Sequence, residues 1–139
     1  MNKFSAQNFI DRVEFLLEHP ELSLRPEDIE DIKNDEVDPG VLAEKIARNL
    51  PKFTEELIAD CDKAIAIEGD NDTAHYLHGT LLATKGKYKE SIASLTRALE
   101  LAPMKAEYYK ARADVHETFG HDEESEADLD RAADLNDLD

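Results

Sequence analysis

The sequence predicts an all-α protein in which antiparallel helix pairs stack as a short solenoid behind an amino-terminal helical cap. Three observations carry that prediction. Ala, Leu, Glu, Asp and Lys dominate the 139 residues, with five glycines, five prolines and no tryptophan, a composition that favours helices over strands. No stretch shows the apolar-polar alternation of a half-buried strand. The carboxy-terminal half also repeats itself at an offset of 34 residues, the self-similarity expected of stacked supersecondary units.

Taken in order, the first helix is predicted from Ser5 to Glu18, because Phe9, Val13, Leu16 and Leu17 recur at helical spacing before His19-Pro20 stops it. A short acidic helix follows from Pro26, with Glu27 and Asp28 in its first turn, where negative charge suits the helix dipole. Asp38 is placed to cap a third helix carrying Leu42, Ile46 and Leu50, which Pro51 is expected to end. Residues 53–68 form a fourth, and the pairs 72–101 and 106–135 bring the expected total to about eight helices and no sheet.

Within the repeat, residues 72–105 and 106–139 share nine identities: Thr84/Thr118, Gly86/Gly120, Glu90/Glu124, Ser91/Ser125, Ala93/Ala127, Leu95/Leu129, Arg97/Arg131, Ala98/Ala132 and Leu101/Leu135. Unrelated segments of that length share roughly two. Small residues, Gly79 with Ser91 and Ala98 and then Ala113 with Ser125 and Ala132, permit close helix approach, and Gly86 and Gly120 supply the turns. In the last helix Leu129, Ala132 and Leu135 form the apolar stripe and the remaining positions are heavily acidic.

The segment from His75 to Pro103 resembles the tetratricopeptide repeat: Gly79, Gly86, Tyr88, Ala98 and Pro103 stand where that repeat expects a small residue, a turn glycine, an aromatic, a small residue and a terminating proline. The second copy keeps Tyr109, Ala113, Gly120, Leu129 and Ala132, with Asp122 and Asp137 replacing the aromatic and the proline. Ile58, Cys61, Lys63, Ala64, Ile65 and Ile67 match Ile92, Leu95, Arg97, Ala98, Leu99 and Leu101, so residues 53–68 resemble the second helix of an earlier, degenerate copy. The resulting division is a cap or arm over 1–37 and a repeat domain over 38–139, made of a degenerate repeat 38–71 and repeats 72–105 and 106–139. Such pairs are stable only when stacked and capped, which gives the first 37 residues a role.

The resemblance implies a concave groove lined by the first helices of successive pairs, which holds a peptide. On this sequence it would show Leu42, Ile46 and Asn49, then Thr73, Tyr76, Thr80 and Ala83, then Glu107, Lys110, Asp114 and Glu117. Tyr76 is the best anchor candidate, since tyrosine offers a rigid face and a hydroxyl at small entropic cost; packing against a neighbouring helix is its alternative use. The carboxylate-gripping subset of this family needs Lys, Asn and Arg where this chain has Leu42, Ile46, Leu77, Glu107 and Ala111, so that clamp is absent and Glu107 would repel a terminal carboxylate.

Charge narrows the partners. With 33 acidic residues against 16 basic ones and a net charge of -17, nucleic acid and membrane surfaces are excluded as expected partners. Residues 85–112 run against this trend, with seven basic side chains and three acidic ones; they form either a docking patch for an acidic segment or an internal complement to the acidic last helix. No signal-peptide or membrane-spanning run is present, and a single cysteine, Cys61, cannot form an internal disulfide, so a cytoplasmic protein is expected.

Metal, cofactor and catalytic chemistry are not expected. His75 and His78 lie one turn apart, and Cys61, His116 and His121 lie in adjoining pairs, but no paired-cysteine or His-Glu-x-x-His spacing accompanies them. Cys61 stands where Leu95 and Leu129 stand in later copies, as a core residue would. Nucleophile motifs and phosphate-cradling glycine loops are absent. The expected function is therefore a non-enzymatic protein-interaction module, a scaffold or co-chaperone-like adaptor. The alternative is a bacterial secretion-type chaperone holding an extended apolar segment; such a chaperone is expected to self-associate through its first helices and an adaptor to bind as a monomer, and the surfaces open to a homodimer are the amino-terminal helices and the last helix.

Overall fold

The computed structural model describes residues 6–19 and 39–137. Six helices account for nearly all of them: α1 (Ala6–Glu18), α2 (Pro39–Ile67), α3 (Asp72–Thr84), α4 (Tyr88–Leu101), α5 (Ala106–Thr118) and α6 (Asp122–Asn136). There is no strand among the described residues. The acidic helix expected from Pro26, and Ser5 as a cap, lie outside them.

Turn chemistry fixes the two later pairs. Gly86 and Gly120 take φ of 78° and 87°, a conformation that costs a side-chain-bearing residue heavily. Each ends its helix the same way: the Lys87 amide donates to the Leu82 carbonyl at 2.9 Å, and the His121 amide to that of His116 at 2.7 Å. These are the reversed bonds of a glycine-terminated helix. They fold α4 back onto α3 and α6 back onto α5. Asn71 starts α3 by accepting the Ala74 amide at 3.0 Å, satisfying one of the free donors of the first turn.

The close approach falls at Gly79. A β-carbon there would stand 2.8 Å from Leu95 Cγ and 3.1 Å from the Ser91 carbonyl oxygen, and the buried Ser91 hydroxyl donates to the Gly79 carbonyl at 2.6 Å. Ala98 is fully buried, in a cluster with Leu99 and Tyr108 against which Tyr76 packs.

Two expectations need correction. Pro51 does not end a helix: α2 runs unbroken for 29 residues with the proline inside it. Proline removes one backbone bond and costs about 3 kcal/mol in a helix interior. Its ring is exposed here, while Leu57, Cys61 and Ala64 bury the second half of the helix in the core. The Thr54 hydroxyl donates to the Leu50 carbonyl at 2.8 Å, adding a bond beside the break. The second concerns the first helix. α1 packs on α2 and α3 as α3 packs on α4 and α5, burying Ala6, Ile10 and Val13 against Leu57, Cys61 and Ala64, while Leu17 of its expected stripe is exposed.

A polar contact recurs where α1 meets α2, α3 meets α4 and α5 meets α6. Arg12 Nε lies 3.2 Å from Asp60 Oδ2, His78 Nδ1 lies 2.9 Å from Ser94 Oγ, and Arg112 Nε and NH2 donate to the two oxygens of Asp128 at 2.8 and 2.7 Å. Asp60, Ser94 and Asp128 are spaced by 34 residues, as are His78 and Arg112.

Candidate functional site

Because α3 and α5 follow each other at the 34-residue offset, equivalent positions on them face the same side of the stack. Tyr76, Thr80 and Ala83 of α3 and Glu107, Lys110, Ala111, Asp114 and Val115 of α5 surround one cavity of about 400 Å³. Six of these residues belong to the groove expected from the sequence; Ala111 and Val115 do not. Val115 is the residue that a repeat comparison alone could have added, since it stands 34 residues after the buried Leu81. Thr73 and Glu117 lie on the same two helices without lining this cavity. Asn49 lies on the first half of α2, away from it, and the side chains of Leu42 and Ile46 fall outside the described residues.

Both readings of Tyr76 meet in its position. One face of its ring stacks on Tyr108 at 4.7 Å between centroids with 23° between planes, and the half-buried remainder lines the cavity. Tyr108 is itself fixed, with its hydroxyl donating to Asp72 at 2.7 Å and the Lys105 ammonium donating to the same carboxylate oxygen at 2.9 Å. Burial alone would push the Asp72 carboxyl up; the Tyr108 hydroxyl and Lys105 outweigh it and hold it below its ordinary value. Burial and the nearby Glu107 push the Tyr76 hydroxyl up, so it stays protonated and able to donate. The cavity therefore offers a rigid aromatic wall backed by a second ring, with Lys110 set between Glu107 and Asp114 on one helix face.

The family profile for the tetratricopeptide repeat matches the chain over 72–103. Residues 72–103 are a tetratricopeptide repeat. Solved TPR structures resemble most of the chain in fold. MamA MSR-1 is 18% identical, with 93% of this chain and 68% of that one covered at a TM-score of 0.59. The second TPR of Spaghetti (RPAP3), bound to HSP90 peptide SRMEEVD, is 16% identical, covering 84% and 93% at 0.57. YrrB, described as a TPR protein with an unusual peptide-binding site, is 17% identical, covering 94% and 64% at 0.58. The chain matches no curated protein. At these identities the likeness is one of fold, a TPR-like stack of antiparallel helix pairs.

Elsewhere on the TPR stack the reactive side chains are structural. Cys61 is buried, and burial, followed by Asp62 and Asp60, pushes its thiol up to about 12, far from a nucleophile at neutral pH. His78 bridges Ser94 of its own pair and Asp62 of the previous helix, at 2.9 and 3.0 Å. No cluster of three metal-ligating side chains occurs among the described residues, and no helix among them is long and apolar enough to cross a membrane. The basic stretch is largely spoken for: Lys85 pairs with Glu55, Lys105 with Asp72, Arg97 with Glu100 and Arg112 with Asp128 of the last helix. Lys87, Lys89 and Lys110 form no ion pair among the described residues.

The buried histidines give a pH dependence. Burial lowers the pKa of His116, against the pull of Asp128, and burial likewise lowers that of His78 against Asp62. Both sit below the ordinary value of 6.5, so on acidification the unfolded chain takes up protons before the fold does, and stability is lost as pH falls through 6.5. Urea midpoints should drop between about pH 7.5 and about pH 5.5. The drop should be shallower in His116→Leu, which restores the residue type of its counterpart Leu82; an equal drop would remove His116 from the account.

Proposed function

We propose that this chain is a non-enzymatic protein-interaction module, a cytosolic scaffold or co-chaperone-like adaptor, that seats a segment of another protein in the cavity between α3 and α5. The carrying observation is the convergence of Tyr76, Thr80, Ala83 and Lys110 on one cavity with Tyr76 braced by the buried Tyr108. A braced aromatic loses little freedom on binding, which is what an anchor requires. Peptide binding by the RPAP3 TPR and the peptide-binding site of YrrB support the reading. In it, residues 72–105 and 106–139 are the repeats that carry the site, and residues 1–37 and 38–71 support them.

The ligand differs from a carboxylate-terminated tail, because Leu77, Glu107 and Ala111 replace clamp residues. A wholly apolar extended segment, as a secretion chaperone would hold, also fits poorly beside Glu107, Lys110 and Asp114. The cavity suits an apolar or aromatic side chain against Tyr76, with an acidic group near Lys110 and basic groups near its acidic flanks.

A peptide array probed with the parent protein identifies ligands, whose affinities are then measured for Tyr76→Ala and Lys110→Glu. Tyr76→Ala should cost about 2 kcal/mol of binding, about thirty-fold in Kd. Lys110→Glu should weaken binding mainly through the association rate and most at low salt. Circular dichroism should show intact helices for both. Parent-like affinity in both variants would move the site elsewhere.

A further inference from the structure

On the first helix of each later pair, one stripe packs onto the second helix of the pair before it. In α3 the stripe includes Leu77, His78 and Leu81, with His78 reaching Asp62 of α2 at 3.0 Å. In α5 the counterparts are Ala111, Arg112 and Val115, and Arg112 NH1 donates to Thr96 of α4 at 3.2 Å. The bracket is the same in both: the central residue holds its own pair's second helix (Ser94, Asp128) and also the previous one (Asp62, Thr96).

Register carries this stripe to both ends of the stack. Arg12 stands beside Asp60 at the position where Arg112 stands beside Asp128, so α1's stripe is Asp11, Arg12 and Phe15, and all three are exposed. Phe15 is 54% exposed where Leu81 is 3% and Val115 is 6%. Arg12 Nε approaches Asp60 Oδ2 out of line for a hydrogen bond, and the arginine keeps 61% of its side chain in solvent. At the other end, Asp130 of α6 occupies the position of Asp62 and Thr96. Beside it Leu129 is 46% exposed where its counterparts Cys61 and Leu95 are 1% and 0%. Leu129 is expected from the sequence on the packed stripe with Ala132 and Leu135; those two are buried and Leu129 is not, because among the described residues no helix covers α6 as α5 covers α4.

We propose that these two open faces are the halves of one joint: α6 of one molecule packs on α1 of a second copy, so that molecules stack end to end in the register of the internal joints. In that register Arg12 of one copy meets Asp130 of the other, and Phe15 covers Leu129. The chemistry selects this pairing over the symmetric ones. Packing α6 on α6 opposes Glu126, Asp130 and Asp134 to themselves, and packing α1 on α1 opposes Arg12 to Arg12; only α1 on α6 joins unlike charges around apolar centres. Such a contact is heterologous and does not close on itself, so it builds linear stacks, not a dimer. The net charge of -17 opposes association at low ionic strength, and one helix-on-helix joint is a small interface. The stacks should therefore grow with concentration across the micromolar to millimolar range.

Sedimentation velocity at about 0.15 M salt, where charges are screened beyond about 8 Å, tests this with Phe15→Glu and Leu129→Glu. Both positions are exposed, so both variants should keep the parent's circular dichroism. The parent should sediment faster with rising concentration and reach no plateau. Each variant alone should remain a monomer, since one blocks the α1 face and the other the α6 face. Their equimolar mixture should stop at a one-to-one dimer, joining the intact α6 of Phe15→Glu to the intact α1 of Leu129→Glu. The proposal is overturned by a parent that stays monomeric throughout, by either variant associating as the parent does, or by a mixture that forms no dimer.

Discussion

Gly79→Leu should lower the stability of the protein by about 3 kcal/mol, at the upper end of what overpacking costs. Leucine is the better helix former by up to about 1 kcal/mol, so propensity predicts the opposite sign. Geometry decides. A β-carbon at this position already lies 2.8 Å from Leu95 Cγ and 3.1 Å from the Ser91 carbonyl oxygen, and the remaining side-chain atoms have to enter a crossing that is tied shut by the 2.6 Å bond from Ser91 to Gly79. The Leu95 side chain can turn only into a fully buried environment, and the backbone carbonyl cannot turn without releasing α4. Chemical denaturation reads the effect directly. A midpoint within a few tenths of a kcal/mol of the parent would mean that α3 and α4 are not held this closely in solution. Because α3 carries Tyr76, Thr80 and Ala83, peptide binding should be lost along with the crossing.

Much of this architecture can be read from residues. Gly86 and Gly120 mark the turns because few other residues tolerate a φ near +80°, and the 34-residue offset places Tyr76 over Lys110 and Thr80 over Asp114, which is why six expected groove residues line one cavity. What escapes reading depends on contacts between segments far apart in the chain. α1 shares only Leu16/Leu82 with α3 at its true register, and that register shows itself only when Arg12 is seen on Asp60. Pro51 signals a helix end by local chemistry, yet the core formed by Leu57, Cys61 and Ala64 holds the helix through it. Leu129 satisfies the periodicity of a buried residue, but burial requires a neighbour as well as a pattern. Nothing in the sequence marks Tyr108 as the brace of Tyr76, because its partner Asp72 lies 36 residues away.

Among the described residues, the pairing of Arg112 with Asp128 should be the most costly ion pair to break from one side. Their side chains are 21% and 7% exposed, and two parallel bonds of 2.8 and 2.7 Å join them, the bidentate geometry that makes arginine-carboxylate pairs strong. The Asp128 bond and charge, against the opposing effect of burial, raise the Arg112 pKa, so the guanidinium remains charged whatever happens to its partner. Asp128→Ala should thus leave a largely buried cation with the Thr96 hydroxyl at 3.2 Å and the Tyr109 ring as its remaining partners, at a cost of about 3 kcal/mol. Arg112→Met combined with Asp128→Leu removes both charges at similar volume and should recover most of that loss, because the pair stabilises the fold less than its orphaned half destabilises it. Urea midpoints of the parent, the single variant and the double variant separate the two contributions. If the double variant is as unstable as Asp128→Ala, the loss comes from packing at the α5–α6 crossing and not from the unpaired charge.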